Sequence, residues 1–118
     1  MQYAMSLLEA PFELIKSGKK TVEIRLFDEK RQKLKVGDVI EFSKLPALSE
    51  KMSVEVIALL RYKTFKSMIE DLGVECFGYS SGYSQDYFLD KIYSIYSKEQ
   101  EQGYSVLGIR IKLIEQSY

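Results

Sequence analysis

Apolar and polar residues alternate one by one at both ends of this 118-residue chain and in three stretches between them. Met1, Tyr3, Met5 and Leu7 alternate with Gln2, Ala4 and Ser6, the period of a strand with one buried face. Val22, Ile24 and Leu26 alternate with Thr21, Glu23, Arg25 and Phe27. A Val36-Gly37-Asp38 turn leads into a strand over Val39, Ile40, Glu41 and Phe42. Residues 52–62 are rich in β-branched and aliphatic side chains and predict a long strand, buried on both sides towards its end. Residues 104–115 predict the last strand, with Leu107, Ile109, Ile111 and Leu113 on one face and Val106, Gly108, Arg110 and Lys112 on the other.

The period changes to that of a helix in three places. Pro11 suits a first helical position, Phe12 and Ile15 share a face, and Gly18 suits a left-handed stop, which predicts a helix over 10–17. Thr64 is a candidate cap for a helix to Leu72, with Phe65, Met68, Ile69 and Leu72 as its stripe and Gly73 as its stop. Ser84 starts a third helix through Tyr96, with Phe88, Ile92 and Ile95 on one side. Residues 28–35 read as a charged loop with room for one helical turn, and 46–51 as a polar loop. There is no repeat, low-complexity tract or linker, so one domain over 1–118 is expected. The fold class is α+β: about five to six strands in a partly closed antiparallel barrel, which hides strand edges, with two to three flanking helices.

Composition narrows the function classes. Apolar content of 46% and charged content of 29% belong to a globular chain. No apolar run reaches the length of a membrane span, and no charged leader precedes an apolar block, so a cytoplasmic protein without membrane contact is expected. Histidine is absent, which excludes Ser-His-Asp and Cys-His triads and histidine-dependent metal sites. Cys76 stands alone, so neither an internal disulfide nor a zinc set exists, and it reads as a small buried hydrophobe. No metal or other cofactor is expected.

The net charge is zero, but between residues 16 and 35 eight cations stand against Glu23, Asp28 and Glu29, an excess of five positive charges. Such a lobe suits an anionic ligand, a phosphate or a short RNA stretch, or simply a solubilising surface. Within it, Gly18-Lys19-Lys20-Thr21-Val22-Glu23-Ile24-Arg25 packs a glycine turn, two lysines, a carboxylate and a guanidinium into eight residues. On pattern alone this is either a site or a solvated strand face. Arg25 offers a bidentate grip on phosphate or carboxylate, Glu23 an orienting or base-reading acceptor, and Lys20 an anion contact or, if desolvated, a base or nucleophile. Tyr79 and Tyr83 flank Gly82 in a glycine- and tyrosine-rich connection and are the aromatic residues best placed to stack on a base; packing as core or lid is the other reading. Glu99 and Glu101 read as loop charges or, less simply, as a carboxylate pair for a cation or a proton.

Gly18-x-Lys20-x-x-Glu23-x-Arg25 resembles the G-x-K-x-x-E-x-R signature of ASCH domains. The surrounding order is also similar: a strand and a Pro-started helix before the motif, a Val-Gly-Asp turn into a strand after it, and Tyr96-Ser97-x-Glu99-x-Glu101 before the final strand. The chain looks like a small stand-alone bacterial ASCH protein. The resemblance implies a barrel similar to the PUA domain, with the signature residues lining a cleft proposed to bind RNA or a nucleotide-like ligand. Lys20, Glu23, Arg25, Tyr79 and Tyr83 are then the expected ligand-binding residues. Some relatives are similar to amidohydrolases that deacetylate acetylated cytidine with a Lys, a Thr and a Glu. Lys20 matches their Lys, but Glu23 stands where they have Thr. A hydrolase of modified nucleosides using Lys20 and Glu23 is the alternative expectation, and a protein-interaction module the second. A ribonuclease branch of the family, metal-dependent, has no residue-level match here.

Overall fold

The computed structural model describes residues 2–114. Among them the elements run β1 (Gln2–Leu7), α1 (Glu9–Lys16), β2 (Val22–Leu26), β3 (Val39–Lys44), β4 (Lys51–Tyr62), α2 (Phe65–Leu72), α3 (Gln85–Tyr93), α4 (Lys98–Tyr104) and β5 (Val106–Leu113), with one 3-10 turn at Arg31–Lys33. The strands form one sheet in the order β1-β3-β4-β5-β2, curved into a half-barrel, and the class is α+β. Met1 and Glu115, which the alternation assigned to the first and last strands, lie outside the described residues.

Four expectations need correction. The barrel is mixed: β1 pairs with β3 in parallel, while the other three pairings are antiparallel. The chain between β1 and β3 crosses the sheet through α1 and β2, and a crossover is what brings a strand back in the same direction. Four helices flank the sheet rather than two to three. The extra one, α4, covers the residues read as loop charges, because Lys98-Glu99-Gln100-Glu101-Gln102 has no apolar period. Its signal is a capping box instead: Ser97 accepts from the Gln100 amide while the Gln100 side chain accepts from the Ser97 N–H. α3 stops at Tyr93, so Ile95 is not on its buried face and is 65% exposed. Pro11 is the third residue of α1, still in the turn whose N–H groups lack helical partners.

The other local signals act as the residue chemistry dictates. Gly18 takes φ +82° after α1, and Gly73 takes φ +78° after α2. Thr64 caps α2 through a reciprocal box with Ser67.

Both sheet faces are buried, and this positions the site. On one face Leu107, Ile109 and Ile111 of β5 pack with Phe42, Val54, Val56 and the α1 side chains Phe12 and Ile15. On the other, Val22, Leu26 and Val106 pack with Phe65, Met68 and Ile69 of α2 and Phe88 and Ile92 of α3. A register shift between Val56 and Ala58 of β4 lets the same strand contribute Leu59 to the first core and Tyr62 to the second.

Candidate functional site

β2 is an end strand, hydrogen-bonded to β5 on one side only. Residues opposite one another in an antiparallel pair project to the same face. Glu23 stands opposite Ile109 and Arg25 opposite Leu107, so their side chains turn towards the barrel's inner core. The polar face of this strand is therefore not a solvated one. Glu23 is 4% exposed.

The glycine turn sets the third side chain. With Gly18 left-handed, the Lys19 and Lys20 amides both bond to the Leu14 carbonyl at 3.0 Å. The Cys76 carbonyl accepts from Thr21 at 2.8 Å and Val22 at 3.2 Å, and Lys20 bridges to Phe77. Lys20 is thereby held at the mouth of β2, with its Nζ 2.9 Å from Glu23 Oε1. Arg25 donates through Nε to Glu23 Oε2 at 2.9 Å, with Nη2 also 2.9 Å from that oxygen. Nη2 reaches across to donate to the Ser6 carbonyl of β1 at 3.0 Å. The three side chains are between 5% and 15% exposed.

Burial by itself would push the Glu23 carboxyl up, but Lys20 and Arg25 outweigh it and hold the group below the ordinary carboxylate range. Glu23 is thus a carboxylate at neutral pH, and the cluster carries one net positive charge. Two cations on one carboxylate, each with further N–H donors, can contact an anion.

The cluster opens into a cavity of about 420 Å³ between the β1–α1 corner, β2 and α3. Leu7, Pro11, Leu14, Ile24, Phe77, Phe88, Ile92 and Tyr96 supply apolar and aromatic walls, with Lys20, Glu23, Arg25 and Lys91 as charged groups. Leu8 and Ile95, both strongly exposed, belong to its lining as well. This is the composition of a small-molecule pocket: mostly apolar, with a few convergent polar groups.

Of the expected site residues, Lys20, Glu23 and Arg25 come together and Tyr79 joins them on the pocket wall. Tyr83 does not line it. It stacks on Tyr79 instead, ring centres 4.2 Å apart and 12° from parallel, and Tyr79 meets Phe88 edge-on. Lys91 Nζ lies 5.3 Å from both tyrosine rings, and its bond to the Tyr83 phenol holds the ammonium above the ordinary lysine value. The two tyrosines thus form a stack at the edge of the cavity. Glu101 is not a loop charge. It is 6% exposed, accepts from the Phe65 amide at the start of α2 at 2.8 Å and from the Tyr93 phenol at 2.8 Å, and is fully used. Lys91 and Tyr96 were missed as pocket residues. Lys91 had a signal, since it lies three residues after Phe88 and next to Ile92 on the same helix. Cys76 is half-buried, and burial pushes its thiol up, away from nucleophilic character.

Among the described residues no group of three or more His, Cys, Asp or Glu side chains is placed to hold a metal ion. No described helix is long and apolar enough to cross a membrane.

The model of the ASCH domain matches residues 5–115. Among solved structures, the crystal structure of hypothetical protein PH0355 is 36% identical, with 97% of this chain and 100% of that chain covered and a TM-score of 0.84. The solution structure of protein PF0455 from Pyrococcus furiosus is 35% identical, with 98% and 100% covered and a TM-score of 0.76. An ASCH domain from Lactobacillus crispatus JV V101 shares the fold at 14% identity, with 95% and 79% covered and a TM-score of 0.63. No curated protein matches the chain.

Proposed function

The chain belongs to the ASCH domain family, and on that premise we propose that its pocket binds RNA, or a nucleotide-like ligand, through Lys20, Glu23 and Arg25. The family has a PUA-like fold and has been suggested to bind RNA. The observation that carries the reading is the buried Lys20–Glu23–Arg25 cluster opening into an apolar and aromatic cavity. One end of such a site suits a phosphate or another anion, and the walls suit a base. A single net positive charge fits a few phosphate contacts and not the coating of a long backbone, so the salt dependence is shallow. A single-stranded ligand contacting one or two phosphates gives a slope of roughly −0.7 to −1.4 in log K against log salt.

The test is calorimetric titration of the protein with ribonucleoside monophosphates and with short single-stranded RNA, repeated on Lys20→Ala and Arg25→Ala. Each variant loses a charge-assisted contact worth about 1.5–3 kcal/mol, so affinity falls by at least about tenfold. Parent-like binding by both variants overturns the proposal.

A further inference from the structure

The free edge of β2 carries a feature that the side-chain cluster does not use. In an antiparallel ladder, hydrogen-bonded pairs alternate with pairs whose N–H and C=O groups point away from the neighbouring strand. The parity here is set by two bonds at the ladder's ends: Ile111 N–H donates to the Thr21 carbonyl at 2.9 Å, and Phe27 N–H donates to the Ser105 carbonyl at 3.0 Å. With the register Val22 to Arg110 and Ile24 to Gly108, Thr21, Glu23, Arg25 and Phe27 bond to β5. Val22, Ile24 and Leu26 then turn their backbone groups to the open side. The Val22 amide agrees, since it donates away from β5, to Cys76.

Ile24 is the residue of this open edge that lines the cavity while its amide and carbonyl are left over by the ladder. Backbone groups of this kind require partners when they are covered. One donor and one acceptor sit side by side at the middle of the strand, two residues from each of its ends. We infer that this edge pairs with the Watson–Crick edge of a single unstacked nucleobase, whose ring lies among the apolar and aromatic walls and whose anionic group meets Lys20 and Arg25. The inference rests on the proposed function and names the part of the ligand that the pocket reads. Every common base presents an adjacent donor and acceptor on that edge, and an apolar slot with one hydrogen-bonding side is how an extruded base is held.

The other ligand that a free strand edge takes is an added strand of peptide. The seam is too short for it. Val22 N–H is occupied by Cys76 on one side of Ile24, and the Arg25–Ser6 bridge crosses the gap on the other. Within the cavity what is left is the Ile24 pair of groups, which matches a base and not a row of peptide units.

The experiment titrates the intact protein with the four ribonucleoside monophosphates, then compares the tightest binder with its counterpart methylated on the ring nitrogen of the Watson–Crick edge. The methylated compound binds about 10- to 100-fold more weakly, because it leaves a covered backbone group unpaired. In a 15N spectrum the Ile24 amide shifts with the unmethylated ligand. Ile24→Pro removes the edge donor without touching a ladder bond, which an end strand tolerates, and abolishes the discrimination; Ile24→Val keeps it. Equal binding of the two ligands, or an unmoved Ile24 amide, overturns the inference while leaving the proposed function standing if Lys20→Ala still weakens binding. Absence of binding by any monophosphate or RNA overturns both. If Ile24→Pro fails to fold, the ligand pair and the parent spectrum decide alone.

Discussion

Glu23 and Glu101 are two carboxylates buried to nearly the same extent, 4% and 6% exposed, and they do opposite things. Glu101 is finished. The amide that opens α2 and the phenol of Tyr93 satisfy it, and Phe65 and Tyr96 stack beside it at 5.7 Å. It ties α4 to α2 and α3. Glu23 is satisfied by two cations that themselves face a cavity. A buried charge compensated by neutral donors of the fold is a joint. A buried charge compensated by cationic side chains at the wall of a pocket is the candidate site, because those same cations retain donors for something else.

The largest expected effect breaks the joint. Glu101→Ala leaves the Phe65 amide and the Tyr93 phenol without a partner, and urea unfolding should show a loss of about 3 kcal/mol. Ligand binding in the β2 pocket should be unchanged when the folded protein is titrated. Glu23→Gln comes next. It keeps the shape but removes the counter-charge of Lys20 and Arg25. Water in the pocket relieves part of that cost, so about 2 kcal/mol is expected, together with weaker nucleotide binding, because both cations lose the anchor that aims them. If Glu23→Gln disturbs only stability and Glu101→Ala only binding, the comparison is inverted and fails.

Acid and base separate the two carboxylates more finely. Glu23 is held below its ordinary value of 4.5, against the raising effect of its burial, by Lys20 and Arg25. A depressed carboxylate contributes stability that is present above its unfolded value and lost as pH falls through the folded one. Unfolding free energy should therefore hold down to about pH 4.5 and decline below it, less steeply in Glu23→Gln. The partner of Glu101 gives the opposite limb. Burial, then the bond to Glu101, pushes the Tyr93 phenol from 10.0 up to about 12. That contribution is complete below pH 10 and is lost as pH rises towards 12, and Tyr93→Phe should remove it from the alkaline denaturation profile. The smallest effect belongs to the surface network in which Lys44 contacts Glu13 at 3.0 Å and Glu50 at 2.9 Å, beside Lys16 and Glu50 at 2.6 Å. These distances match those around Glu23, but solvent screens them. Lys44→Ala should move the unfolding midpoint less than either carboxylate variant, and the difference should shrink further in high salt.

How much of this was legible can be read from particular residues. The strands and the first three helices follow from local period and from turn residues, since alternation, Thr64, Gly18 and Gly73 act within a few residues of themselves. α4 escaped because its evidence is a cap and not an apolar stripe. The Lys20, Glu23 and Arg25 trio was visible as a motif on one strand. Sequence proximity to a glycine does not say that Tyr83 stacks on Tyr79, and Lys91 enters the pocket from a helix far along the chain.

By itself the sequence determined the chemistry available: no histidine, a lone cysteine, and a basic strand whose acid stands two residues from its arginine. Those are properties of composition and spacing, and no fold can change them. Only the tertiary structure decided which way they face. The β1–β3 crossover leaves β2 at the end of the sheet, so Glu23 turns inward while one edge of its strand stays open. Burial is a property of what packs against a residue from elsewhere in the chain. That is why one motif on paper reads equally as a solvated face or a site, and in the fold is the charged wall of a pocket.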